Sequence, residues 1–246
     1  MSKIDLNKLA TSSQVATKQT FADRVKATLA NSTGTDDEGN TNPPDEYAVL
    51  VPNRIGMMLD CSGSMGGSSI VNLRSAAEEY VMACNFADTS VALYTFGAHT
   101  EMRGGLTRYS GALIGYISRL QAHGDTPMHR VVSDAIGSLP MTRGLLVSDG
   151  GASDWGHWHD KDTFEGDTIL EQYKAAGIPI DCVHIGQGTD GEALLRRIAE
   201  KTGGIFIKFK DTGNFAKAFK FLAPANRALL GDGRKLLKEL GADEVR

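Results

Sequence analysis

The sequence predicts a doubly wound α/β domain, a mostly parallel central sheet with helices on both faces. Three observations carry that prediction. Short apolar runs of strand length alternate with longer stretches of helical spacing, and that alternation requires crossover connections and a parallel sheet. Two of the runs end in an aspartate followed by small residues. No internal repeat competes with this reading, and no window approaches the roughly 20 apolar residues of a membrane span.

Taken in order, residues 1–46 form an N-terminal extension. A polar start leads into a short amphipathic helix over Thr20–Ala30, and residues 31–46 carry no hydrophobic side chain and read as a linker. The compact domain spans 47–222. Arg54–Leu59 is a buried strand ending in Asp60; Ser69–Ala87 is a helix with Ile70, Leu73, Ala77, Val81 and Cys84 on one face. Ser90–Phe96 is a second strand and Glu101–Arg103 a short edge strand. Gly111–Leu120 and Pro127–Leu139 are helices, the second with proline at a permitted first-turn position. Gly144–Ser148 is a strand ending in Asp149, and Phe164–Ala176 a helix stopped by Gly177. Ile178–Ile185, Gly191–Lys201 and Ile205–Phe209 follow as strand, helix and strand; Asn214–Leu222 and Asn226–Leu240 are closing helices, the latter in a C-terminal helical extension over 223–246 that closes over the sheet or docks on a partner.

The 246 residues suffice for one domain with extensions, and 41% hydrophobic with 23% charged residues is ordinary for a chain that buries a core. A net charge of -4 gives no electrostatic footprint for nucleic acid, and Lys208, Lys210, Lys217 and Lys220 read as a solvated face. Cys61, Cys84 and Cys182 are too few and too scattered for a disulfide framework or a cysteine-rich zinc site, so they are expected as buried free thiols. The first residues lack the basic start and apolar core of a signal peptide, and the expected location is cytoplasmic, with no membrane partner.

In open α/β sheets, sites form beyond the carboxyl ends of strands. Asp60-Cys61-Ser62-Gly63-Ser64 and Ser148-Asp149-Gly150-Gly151 both follow strands, and Thr126 lies between them just before a helix. The gathered inventory is two carboxylates and three hydroxyls, all oxygen, which suits a hard cation: Mg2+, with Mn2+ or Ca2+ as substitutes. Ser62 and Ser64 can coordinate together, and Thr126 from another loop. Asp60 and Asp149 either bind directly or orient coordinated waters. An incoming carboxylate supplies the charge such a site lacks.

The spacing D-x-S-x-S at Asp60, Ser62 and Ser64, followed by Thr126 and Asp149, resembles the metal-ion-dependent adhesion site of von Willebrand factor A domains, a Rossmann-like fold. The likeness extends to the order of elements over roughly three quarters of the chain, and to the Ile-Gly-Met-Met-Leu-Asp and Gly-Leu-Leu-Val-Ser-Asp-Gly strands. The resemblance implies that Ser62, Ser64 and, with ligand bound, Thr126 touch the metal, while Asp60 and Asp149 act mainly through water. It implies that a partner's Asp or Glu completes the shell. Relatives of intracellular type work beside AAA+ ATPases, in metal chelatases, or in stress-resistance and phage-related assemblies.

Enzymatic readings fare worse. A haloacid dehalogenase-type phosphatase wants a second aspartate where Ser62 stands, and serine is a poor general acid. No Gly-x-Ser-x-Gly elbow exists around Ser62 or Ser64, and the glycine-rich Ser64–Ser69 lacks the lysine of a phosphate-binding loop. The chain is therefore expected to be non-catalytic: a Mg2+-dependent protein-binding module, or alternatively a structural subunit of a larger assembly, phage-related for instance, that uses the domain as a metal-independent scaffold.

The stretch Asp154-Trp155-Gly156-His157-Trp158-His159-Asp160 holds both tryptophans and two of six histidines. Trp155 and Trp158 are candidate partner contacts, the rival being a hydrophobic lid over the loop; His157 and His159 lack a clear third ligand for zinc. Asp125 is a candidate for orienting a coordinated water or for capping the helix that follows. His99, His123, His129 and His184 are expected as satisfied structural residues.

Overall fold

The structure is a computed structural model that describes residues 53–156, 167–186 and 189–209, with 215, 219, 222, 223, 242, 244 and 245. All lie in one unit of the chain, Pro52–Arg246. The helix expected over Thr20–Ala30, the linker, most of the closing helices, and Trp158, His157 and His159 lie outside the described residues.

The strands are β1 (Asn53–Asp60), β2 (Thr89–Phe96), β3 (Thr100–Thr107), β4 (Arg143–Ser148), β5 (Ile180–Ile185), β6 (Phe206–Phe209) and β7 (Glu244–Val245). The helices are α1 (Ser68–Ala83), α2 (Ser110–Ile117), α3 (Met128–Ser138), α4 (Thr168–Ala175) and α5 (Thr189–Thr202), with a 3-10 turn at Gly63–Met65. The sheet order is β3-β2-β1-β4-β5-β6-β7. The pairs among β2, β1, β4, β5 and β6 are parallel, and both edge strands, β3 and β7, run antiparallel. This is the doubly wound α/β fold.

Side-chain alternation along each strand divides the core between the two faces. On β1, Ile55, Met57 and Leu59 face α1 and α2, packing with Leu73, Ala77, Tyr80, Leu113 and Ile117. Met58 points the other way, toward Val131, Val132, Leu170 and Leu195 of α3, α4 and α5. Phe215 and Phe219, helical and one turn apart, are buried on the first face, with Phe219 against Tyr80 at 5.5 Å between ring centroids. Cys61, Cys84 and Cys182 are free and buried, as expected.

Two elements differ from the sequence reading. β3 is eight residues long instead of three, with its register against β2 shifting between Val91 and Tyr94. Glu244–Val245, within the stretch read as an extension, pairs with Ile207 and Lys208 and forms the last strand of the sheet.

Candidate metal centre

Because β1 pairs with β2 on one side and β4 on the other, strand order reverses between β1 and β4, which opens a crevice at their carboxyl ends. Asp60 ends β1 there and Asp149 follows β4. The register sets Leu59 beside Val147, Ser148 beside His184, and His184 beside Lys208, so a polar row crosses the sheet at one level.

Four of the five residues singled out by sequence meet in one hydrogen-bonded cluster. The Ser62 amide donates to Asp60 Oδ1 at 2.8 Å. The Ser62 and Ser64 hydroxyls share a hydrogen bond of 3.0 Å, and Ser64 Oγ donates to Asp149 Oδ1 at 2.8 Å. Asp60 and Ser62 are buried, while Ser64 is exposed and Asp149 half-buried, so the cluster opens outward on one side. The fifth residue, Thr126, comes alongside through its backbone. Gly63 N donates to Gly124 O at 2.8 Å, and Ser153 N donates to Thr126 O at 2.9 Å. No hydrogen bond joins the Thr126 hydroxyl to the other four.

The three loops are locked by close backbone approach. His123 N donates to Cys61 O at 2.8 Å and Ala98 N to His123 O at 3.0 Å. A Cβ on Gly97 would lie 2.6 Å from Cys61 O and 2.7 Å from His123 O, so only glycine fits. Gly124 turns the chain at φ +80°, with Ala98 backbone where a Cβ would stand.

Sequence reasoning missed Ser148. Its Oγ donates a short hydrogen bond to Asp60 Oδ2 from the neighbouring strand. Only the β1–β4 register makes that contact, so nothing local in the sequence announces it. Burial pushes the Asp60 carboxyl up to about 6 from 3.8, opposed by the hydrogen bonds from Ser148 and Ser62 and reinforced by the negative charge of Asp149. Burial likewise raises Asp149, with the Ser64 hydroxyl opposing. Every group holding Asp60 is neutral or negative. A buried carboxylate without a cation is costly, and a divalent ion at this cluster would supply the missing charge. Among the described residues, no three or more His, Cys, Asp or Glu side chains are grouped to hold a metal; the donor set here is hydroxyl-rich, with two carboxylates. These residues therefore fit an oxygen-coordinated divalent cation.

Several expectations are corrected. Trp155 is not a partner contact: its ring is fully buried, its Nε1 donates to Asp167 Oδ2 at 3.1 Å, and it meets His129 edge-on at 4.9 Å. It is a lid residue, fastening the loop after Asp149 to α3 and α4. Asp125 is exposed and does not cap α3; Asp154 does so from the other loop, accepting from His129 N and Arg130 N at 2.9 Å each. Lys208 is not solvated but pairs with Glu192 of α5. His184 is buried with neither ring nitrogen hydrogen-bonded in normal geometry, although the Asp149 backbone lies near enough to favour its protonation. Burial and Lys208 outweigh that and bring it down to about 4.

The chain matches no protein-family model and shows no significant similarity to a curated protein sequence. Solved structures do match in fold. The vWF domain of the type V pili tip protein Mfa5 from Porphyromonas gingivalis aligns with a TM-score of 0.55 at 13% identity, over 75% of this chain and 97% of that one. The ArnB paralog VWA2 from Sulfolobus acidocaldarius aligns at 0.52 and 17% identity, over 72% of this chain and 46% of that one. Manganese-loaded TRAP protein from Plasmodium vivax aligns at 0.51 and 16% identity, over 61% and 63%. Strand order, the crevice between β1 and β4, and these likenesses agree: the chain has the fold of a von Willebrand factor A domain.

Proposed function

We propose that this chain is a non-catalytic protein-binding module that holds one Mg2+ at Asp60, Ser62, Ser64, Thr126 and Asp149 and binds a partner through that partner's Asp or Glu carboxylate. The observation that carries the proposal is Asp60: a fully buried carboxyl, bonded only to neutral groups, beside a second acid, the buried Ser62 and the exposed Ser64. When bound, the ion would supply Lewis acidity toward an incoming carboxylate. Ser62 and Ser64 offer it hydroxyl oxygens, and Asp60 and Asp149 offer charge, directly or through water. Ser148 holds Asp60 in position, and the bonds from Gly63 to Gly124 and from Ser153 to Thr126 keep the Thr126 loop within reach. A solved structure of the same fold, the TRAP protein of Plasmodium vivax, is manganese-loaded, which agrees with a divalent ion on this chain. Cys61 is pushed up to about 12 by burial, far from a reactive thiolate.

The partner is proposed to be a protein of a multiprotein assembly, an AAA+ ATPase or an assembly subunit, within the cytoplasm. Affinity capture from native extract, in parallel with Mg2+ and with EDTA, tests this. A partner held only with Mg2+, and lost with Asp60→Ala, supports adhesion through the metal. A partner held equally in EDTA favours the alternative, a scaffold that works without metal.

A further inference from the structure

Beside the metal-site loops, on the β2–β3 side of the sheet, lies a cavity of about 300 Å³ that the adhesion reading does not use. Cys61 and Leu120, each almost buried, and the ring of Tyr116 form its apolar wall. Arg103 and Arg119 form its charged wall, with Glu101 as the only acid lining it.

The arginines are in different states. Arg103 Nη1 pairs with Glu101 Oε2 at 2.5 Å and Nε donates to Thr95 Oγ1 at 3.3 Å, so the guanidinium plane is fixed while the Nη2 donors have no partner among the described residues. A planar guanidinium held in this way is pre-organised for bidentate contact with an oxyanion. Arg119 is exposed and pairs with no acid among the described residues. Two arginines against one glutamate leave the wall with net positive charge, in a chain whose net charge is -4. An apolar surface joined to a few convergent polar groups, at this volume, is the usual composition of a small-molecule pocket.

We propose that this cavity is a second binding site, separate from the metal, for a small organic carboxylate: its apolar body lies against Tyr116 and Leu120, and its oxyanion meets Arg103 and Arg119. The site needs no metal and stands whether or not the adhesion reading does.

The test is an NMR titration of isotope-labelled full-length chain with phenylacetate, run in EDTA so that a carboxylate cannot report on the metal centre, with inorganic phosphate in parallel. Saturable shifts are expected at the amides of Gly97, Ala98, Leu120 and Gln121. Affinity is expected to fall about ten-fold in Arg119→Ala, the scale of one charge-assisted contact, to recover in part in Arg119→Lys, and to fall likewise in Arg103→Gln. Phosphate is expected to bind more weakly. The proposal is overturned by absence of saturable shifts, by unchanged affinity in either Arg119→Ala or Arg103→Gln, or by phosphate binding as tightly as phenylacetate. If Arg119→Ala lowers only the melting temperature, the arginine merely offsets the carboxyl end of α2, and the proposal again fails.

Discussion

Ser148, at the end of β4, donates its hydroxyl to Asp60 Oδ2, at the end of β1, and of the hydrogen bonds on that buried carboxyl it does the most to favour the charged form. The contact ties the two strands at their switch point and orients the acid before any ligand arrives. Replacing Ser148 with Ala removes a donor from a group that cannot reach water. The variant is expected to bind Mg2+ about 10- to 100-fold more weakly, the range for groups that position ligands, with the Asp60 carboxyl titrating above its present value near 6. Calorimetric Mg2+ titration checks the first and carbon-detected NMR of the carboxyl checks the second. Wild-type affinity in Ser148→Ala would make the contact incidental.

Two buried groups give the metal-free protein opposing pH dependences. Asp60 titrates at about 6 in the fold against 3.8 ordinarily, so its contribution is present at low pH and is lost as pH rises from about 3.8 to 6. That is about 3 kcal/mol. His184 titrates at about 4 against 6.5, so its contribution is present above 6.5 and lost as pH falls toward 4, again about 3 kcal/mol. The two contributions oppose each other over the same pH range, with the raised Asp149 adding to the Asp60 trend. In EDTA, Asp60→Asn is therefore expected to gain stability between pH 4 and 6.5, His184→Gln to lose it, and wild type to change less than either. Urea unfolding at three pH values measures the slopes, and parallel curves for all three proteins would contradict the account.

The elements legible in sequence are those whose apolar period is long and whose packing is local. β1, β4 and α1 reveal themselves by continuous apolar runs or a clean helical face, and Asp60 and Asp149 mark the ends of their strands. β3 is longer than its sequence pattern suggests because Gly104 and Gly105 interrupt that pattern and only pairing with β2 makes it a strand. β7 is two residues paired with β6, with no periodicity to read. The sequence leaves Trp155 open between lid and partner contact, and leaves Ser148 unmarked, for one reason: their roles depend on Asp167 and Asp60, and that proximity is a product of the fold.

Asp154 stands in for the cap that α3 lacks in its own sequence, since Pro127 at that position has no side-chain acceptor. Asp154→Ala is expected to cost about 1 kcal/mol, a typical cap value, and to lower the melting temperature by about 2–4 °C for a chain of this size. Scanning calorimetry checks it. A loss no greater than that for an exposed control such as Asp125→Ala would show the cap to be unimportant.

Gly97 is the point where the loops after β1 and β2 and the loop before α3 converge. Gly97→Ala drives a methyl between the carbonyls of Cys61 and His123, at 2.6 and 2.7 Å, so backbone must move. The expected cost is about 1–3 kcal/mol, the range for overpacking a tight site, together with weaker Mg2+ binding because Cys61 is flanked by Asp60 and Ser62. Chemical denaturation and metal titration read the two effects separately; intact stability with intact metal affinity would refute the locked-loop description.

The most direct test of the metal-site reading is a calorimetric titration of Mg2+ into the chelator-stripped full chain, wild type beside Asp60→Ala. The account predicts saturable binding of one ion by the wild type, lost in the variant while its circular dichroism is unchanged. No binding by the wild type, or equal binding by both, would contradict it.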